Sequence, residues 1–175
     1  MKIIALTGPK MVGKSTTAQA IIRASVVSTA RISFADPLRD MLRALSIDSD
    51  RLIDQSLKEV EIEGLGRSPR YLLQTLGTEW GRKLVNENIW LWSMSNRIDE
   101  LEKSGAEIVI IDDCRFDNEA DWVKSREGFV VRLDRDGYEY GTDSHDSEKP
   151  LSFYDTIIDC SDADKAADEI LNYIY

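Results

Sequence analysis

Gly8-Pro9-Lys10-Met11-Val12-Gly13-Lys14-Ser15 decides the fold of this chain. The stretch fits the phosphate-loop pattern G-x-x-x-x-G-K-S. Upstream, Ile3-Ile4-Ala5-Leu6 is a short apolar run of buried-strand character, and downstream Ala18, Ile21 and Ile22 recur at helical spacing. Strand, glycine loop and helix in succession turn a pattern match into a binding site. Gly8 and Gly13 let the backbone curl so that successive N–H groups face phosphate oxygens. The following helix adds its free N–H groups and the positive end of its dipole. Lys14 is expected to reach the β- and γ-phosphates and the Ser15 hydroxyl to ligate Mg²⁺, with Lys10, Val12 and Thr16 in the same cradle. The chain is therefore expected to bind a nucleoside triphosphate, which leaves the phosphate acceptor to be found.

Working outward, strands fit residues 2–6, 30–34, 107–112, 129–133 and 155–159, and helices fit 14–25, 37–46, 69–85, 89–104, 116–127 and 162–174. The run Ile108-Val-Ile-Ile111 is the most continuous apolar one, as expected of a central parallel strand covered on both faces. Asp36 before Pro37 and Ser68 before Pro69 read as helix starts, and Ser161 with Asp164 resembles a capping box. Strands alternating with helices predict an α/β fold with a parallel sheet. Two polar segments, 47–68 and 134–150, interrupt the alternation. A kinase must close over its substrates to keep water out, and these are the candidate closing surfaces.

The 175 residues suit one domain, and 42% hydrophobic with 31% charged residues is a globular composition. No apolar stretch approaches the ~18 residues that span a bilayer. The first strand runs directly into the phosphate loop, so a signal peptide is not expected and the cytoplasm is the default. Cys114 and Cys160 are expected as buried free thiols, and no Cys/His spacing suggests zinc. No membrane partner is expected, and the net charge of −10 argues against a nucleic-acid partner while leaving room for a small phosphorylated substrate held by local arginines.

Asp112-Asp113 closes the central strand, where ligands of open α/β sheets sit. An acid there can hold the Mg²⁺ shared with Ser15; the alternative is a cap for the helix that follows, and the pair leaves room for both roles. Arg115 lies over the same crevice, where a guanidinium can stabilise charge on a moving phosphoryl group; its bland alternative is a salt bridge with Glu119. Arg132 and Arg135 flank the end of the fourth strand, with Arg135 the better placed to arrive with segment 134–150. Residues 67–92 hold Arg67, Arg70, Tyr71, Gln74, Thr78, Trp80, Arg82 and Trp90, the residue types that recognise a nucleobase and its phosphate. Gly77 and Gly81 inside that helix each cost about 1 kcal/mol relative to Ala, which close approach of a neighbour or ligand would explain. His145, alone of its type, reads as a residue ordering its loop rather than a base.

Taken together, the phosphate loop at 8–15, Phe34-Ala-Asp36-Pro37-Leu38, Leu73-Gln74-Thr-Leu-Gly77-Thr78-Glu-Trp80-Gly-Arg82, Ile89-Trp90, Asp113-Cys-Arg115-Phe116-Asp-Asn118-Glu119 and His145-Asp-Ser147-Glu148 resemble the deoxynucleoside monophosphate kinases of tailed bacteriophages. These belong to the P-loop nucleoside-monophosphate-kinase-like group. The resemblance implies ATP-dependent conversion of dNMP to dNDP with Mg²⁺ in a cytoplasm, that of the host cell if the protein is viral. It also implies a single P-loop kinase domain over 1–175, with a five-stranded parallel sheet in the order 2-3-1-4-5 flanked by helices. By position, Lys14, Arg115 and Arg135 would serve catalysis, Ser15 and Asp113 the metal. Asp36, Arg39, Arg70, Gln74, Trp80 and Trp90, with Arg115, would bind the monophosphate. The monophosphate region would span about 36–92 and a short lid about 134–150. A homodimer is left open. Two other readings fit the same loop: a kinase of another small metabolite, such as phosphomevalonate or dephospho-coenzyme A, and a nucleotide-dependent switch.

Overall fold

In the computed structural model, which describes residues 1–141 and 145–174, β1 (Lys2–Thr7) lies at the centre of a five-stranded parallel sheet. Its neighbours are β3 (Ile108–Ile111) and β4 (Phe129–Asp134). β2 (Thr29–Ile32) and β5 (Thr156–Asp159) form the edges. The order β2-β3-β1-β4-β5 is the one expected. All four residues of β3 are buried, which is why its sequence shows no polar alternation.

The alternation of side chains along β1 assigns its two faces. Ile4 and Leu6 join Ile110, Val131, Leu133 and Ile158 in a core closed by α1 (Lys14–Ala24) and α7 (Ala163–Asn172) through Ala18, Ile21, Ala167 and Ile170. Ile3, Ala5 and Thr7 point to the opposite face, where α6 (Asp117–Ser125) packs on β1 and β4. The start of α7 differs from the expected capping box: Asp162, not Ser161, caps it by accepting the N–H groups of Asp164 and Lys165. Ser161 instead closes a turn on Asp159. Both cysteines are buried free thiols. Among the described residues, no helix is long and apolar enough to cross a membrane.

The chain divides into two compact units, residues 1–33 with 94–175, and residues 34–93. The sheet belongs to the first. The second contains α2 (Asp36–Ala44), α3 (Ser49–Ile53), α4 (Pro69–Gln74) and the start of α5 (Ile89–Lys103). Asp36 is not the cap of α2. It sits in the first turn and pairs with Arg39 at 2.8 Å. Ser68 does cap α4, with Pro69 at the first position.

Where the sequence reads as one helix over 69–85, the backbone widens after Gln74 into a π-helical stretch, Thr75–Val85. Its last bond is Asn86 N–H to the Gly81 carbonyl, five residues back. The two glycines in this stretch are accounted for by close approach. A Cβ on Gly81 would lie 2.4 Å from Cζ2 of Trp90, and one on Gly77 3.0 Å from Leu38 Cδ1. The Trp90 indole is 6% exposed and donates its N–H to the Gly77 carbonyl at 2.8 Å. Gly81→Ala should therefore destabilise the protein. Ala gains about 1 kcal/mol of helix propensity, but overpacking a buried ring costs about 1–3 kcal/mol. Urea unfolding followed by tryptophan fluorescence should show a lower midpoint, and a raised midpoint would contradict this packing.

Candidate active site

The phosphate loop leaves β1 after Thr7 and enters α1 at Lys14. Gly8 and Gly13 have φ of +142° and +123°, which side chains rarely adopt. A Cβ on Gly8 would also lie 2.6 Å from the Leu133 carbonyl oxygen, so the loop can run this close to β4 only as glycine. Beneath the loop, the Cys160 thiol donates to the Val12 carbonyl at 3.1 Å and ties the end of β5 to the cradle.

The Lys14 ammonium donates to the Gly8 and Pro9 carbonyls, both at 2.7 Å. Its pKa is lowered to about 8, first by burial and then by the nearby Arg115 guanidinium, with Glu148, Asp112 and Asp113 offsetting part of both. The next residue, Ser15, donates its hydroxyl to Asp112 Oδ2 at 2.9 Å. Asp112 is 5% exposed and also accepts from Arg31, whose Nε lies 3.0 Å away. Burial, then the like charge of Asp113, pushes the Asp112 carboxyl up; Arg31 and Ser15 pull the other way. Asp113 accepts from the Ser33 hydroxyl at the end of β2.

Arg115 follows on the loop into α6. The Glu119 carboxylate, 2% exposed, accepts the backbone N–H groups of Arg115 and Phe116, at 2.7 and 3.2 Å, and its charge also acts on the Arg115 guanidinium. The guanidinium is gripped by the short helical turn Asp146–Glu148: Nη1 donates to the Ser147 carbonyl at 3.0 Å and to Glu148 Oε1 at 2.8 Å. His145 caps that turn through Nδ1, which accepts the Ser147 N–H, so it orders the loop as expected.

The structure thus brings together Lys14, Ser15, Asp112, Asp113 and Arg115. Arg31, Ser33, Glu119 and Glu148 complete the cluster; sequence reasoning missed Arg31 and Ser33, and found Glu119 and Glu148 only as a possible partner of Arg115 and as part of a motif without a role. Their partners lie 81, 80, 4 and 33 residues away, and only the Glu119 spacing leaves a local signal. Arg132 lies between the rings of Tyr140 and Tyr154, 5.6 Å from each. Tyr140 in turn hydrogen-bonds the Thr7 side chain. Arg135 is exposed, over the Tyr138 ring at 5.1 Å. Part of the expected lid, residues 142–144, lies outside the described residues.

In the second unit, Arg70 pairs with Glu59 at 2.6 Å and with Gln55 at 3.1 Å. Arg39 keeps a buried Nε with no hydrogen-bond partner among the described residues. Trp80 is 39% exposed and lies 6.4 Å from Trp90, centroid to centroid. Gln74, the last residue of α4, is half-buried.

The low pKa of Lys14 has a consequence for binding. A polyphosphate beside the ammonium favours its charged form and raises the pKa. Below about pH 8 the lysine is charged in both states, and it contributes no pH dependence. Above that, binding must take up a proton, so nucleotide affinity should fall by up to about tenfold per pH unit. Calorimetry of ATP binding from pH 7 to 9.5 checks this, and a flat affinity throughout would contradict it.

Comparisons with known proteins fit this geometry. The family described as deoxynucleotide monophosphate kinase matches residues 51–165. A putative deoxynucleotide monophosphate kinase of Acanthamoeba polyphaga mimivirus is 32% identical over 176 residues, covering 90% of this chain and 88% of that protein. The deoxynucleoside-5'-monophosphate kinase of Escherichia phage T5 is 37% identical over 78 residues, 45% of this chain and 30% of that one. In fold, the chain is similar to the Mycobacterium tuberculosis APS kinase solved with AMPPNP and APS, with a TM-score of 0.55 at 13% identity, over 99% of this chain and 96% of that one. The matched stretch holds Asp112, Asp113, Arg115 and Glu148, and by its sequence this chain belongs to the deoxynucleotide monophosphate kinase family.

Proposed function

We propose that the chain transfers the γ-phosphate of ATP to a deoxynucleoside monophosphate, and that the cluster around Lys14 carries out the transfer. The observation that carries this reading is the meeting of Lys14, Ser15, Asp112 and Arg115 at the carboxyl edge of β1 and β3, around a loop built to expose its N–H groups. An acceptor phosphate oxygen attacks the γ-phosphorus, the bond to the β,γ-bridging oxygen breaks, and ADP leaves with that electron pair. Lys14 holds the transferring phosphate and Arg115 stabilises the charge that gathers on its oxygens. Little base catalysis is needed.

The donors present suit Mg²⁺. They are hard oxygens, the Ser15 hydroxyl and the Asp112 and Asp113 carboxylates. Among the described residues no group of three or more His, Cys, Asp or Glu forms a metal cage, which matches an ion that takes one or two protein ligands and completes its shell with phosphates and water. When bound, Mg²⁺ neutralises phosphate charge. The direct Ser15–Asp112 bond favours Asp112 as the carboxylate on the ion's side, whereas the family resemblance points to Asp113.

For the acceptor, we infer recognition by residues 36–92: Asp36, Arg39, Arg70, Gln74, Trp80 and Trp90. The orphaned Nε of Arg39 supports an anionic ligand there. Residues 134–150, with Arg135, are the proposed lid, and the substrates are small nucleotides of the cytoplasm, a host's if the chain is viral. A coupled assay of ADP release against dNMPs, NMPs, phosphomevalonate and dephospho-coenzyme A tests this. Turnover is expected with dNMPs, and turnover confined to a non-nucleotide acceptor would overturn it.

A further inference from the structure

His145-Asp146-Ser147-Glu148 enters the sequence analysis as a motif without a task. The structure gives it one. Arg115 must approach a transferring phosphate although Lys14 is already there, and each cation disfavours the other. Arginine also has a long side chain rich in rotamers, whose freedom a catalytic group has to lose in advance of the reaction. Both needs are met from one place. The turn capped by His145 presents the Ser147 carbonyl and the Glu148 carboxylate side by side, and both accept from a single amino group, Nη1 of Arg115. Glu148 is 16% exposed, which keeps the pair from full solvent screening. We propose that Glu148 is a positioning residue for phosphoryl transfer: with the Ser147 carbonyl it fixes the Arg115 guanidinium through Nη1 and offsets its repulsion from Lys14.

Electrostatics agree with the geometry. The Glu148 carboxylate lies 2.8 Å from Nη1 of Arg115, so opposite charge reinforces the hydrogen bond. Glu119 accepts the backbone N–H of Arg115 and so holds the main chain from which the guanidinium projects. Arg135, over Tyr138, has no part in the grip described here.

The proposal rests on the reading that Arg115 acts at the transferring phosphate, and a double-mutant cycle separates the two. Turnover and KM for ATP are measured for Arg115→Ala, Glu148→Ala and the double variant, with Glu148→Gln as an isosteric control and thermal unfolding of each to confirm folding. Glu148→Ala is expected to lower kcat on the order of 10- to 100-fold, the loss that follows from a misplaced catalytic group, with KM for ATP nearly unchanged. Glu148→Gln, which keeps an acceptor but no charge, should fall between it and the parent. The double variant should be about as slow as Arg115→Ala alone, because the positioning role of Glu148 is exerted on Arg115. Losses that multiply in the double variant, or full turnover in Glu148→Ala beside a slow Arg115→Ala, would overturn the positioning role alone. Full turnover in Arg115→Ala would overturn the catalytic reading of Arg115 and this proposal with it.

Discussion

Lys14→Ala is expected to lower turnover by about 10²–10³-fold or more, the cost of removing one aligned donor from a charged transition state, while the protein stays folded. The ammonium projects from the first residue of α1 and is held on the loop by the Gly8 and Pro9 carbonyls. Its removal should not weaken the fold, because burial already opposes the charge and lowers its pKa to about 8. The unfolded chain binds that proton more tightly than the folded one. This group therefore opposes folding fully below about pH 8, and its penalty fades as pH rises toward the ordinary lysine value of 10.5. Lys14→Met, which keeps the apolar stem, should melt no lower than the parent at pH 7. A folded Lys14→Ala with near-parent turnover would remove the phosphate-loop role.

The second large effect is expected at the acid pair. Ser15 donates directly to Asp112, while Asp113 accepts from Ser33. Asp112→Asn should raise the Mg²⁺ concentration needed for half-maximal turnover more than Asp113→Asn does, because it removes the charge beside the Ser15 hydroxyl. Asp112 is also held by Arg31, so Asp112→Asn leaves a cation without its partner and should cost stability as well. Asp113→Asn should keep the Ser33 contact through its remaining amide oxygen. A Mg²⁺ titration of both variants decides between them. An unchanged requirement in Asp112→Asn, with a raised one in Asp113→Asn, would return the metal to Asp113.

The parts of this structure that could be read in the sequence are those whose causes are local. The phosphate loop is contiguous, and its glycines are dictated by the backbone at residues 8 and 13. The four buried residues of β3 form an apolar run that only a covered central strand explains. Asp112, Asp113 and Arg115 could be found because they end that strand. Arg31 could not, and Glu148 showed only as part of a motif with no role, since each reaches the site from a distant segment and no periodicity marks its partner. The π-helical widening at Thr75–Val85 escaped for a different reason. Its apolar spacing is that of an ordinary helix, and the packing of Trp90 against Gly81 belongs to tertiary structure. The true cap of α7 was missed by one residue, because Ser161 and Asp162 are both good caps and only the turn geometry chooses between them.

The most direct measurement is a product balance. With ATP, Mg²⁺ and a dNMP, the ADP, the deoxynucleoside diphosphate and the inorganic phosphate formed are quantified together by chromatography. Phosphoryl transfer to the nucleotide predicts ADP and deoxynucleoside diphosphate in a ratio near one, with little inorganic phosphate and little ADP when the dNMP is left out. ADP matched by inorganic phosphate, at a rate indifferent to the dNMP, would contradict the account and point to a nucleotide-hydrolysing switch.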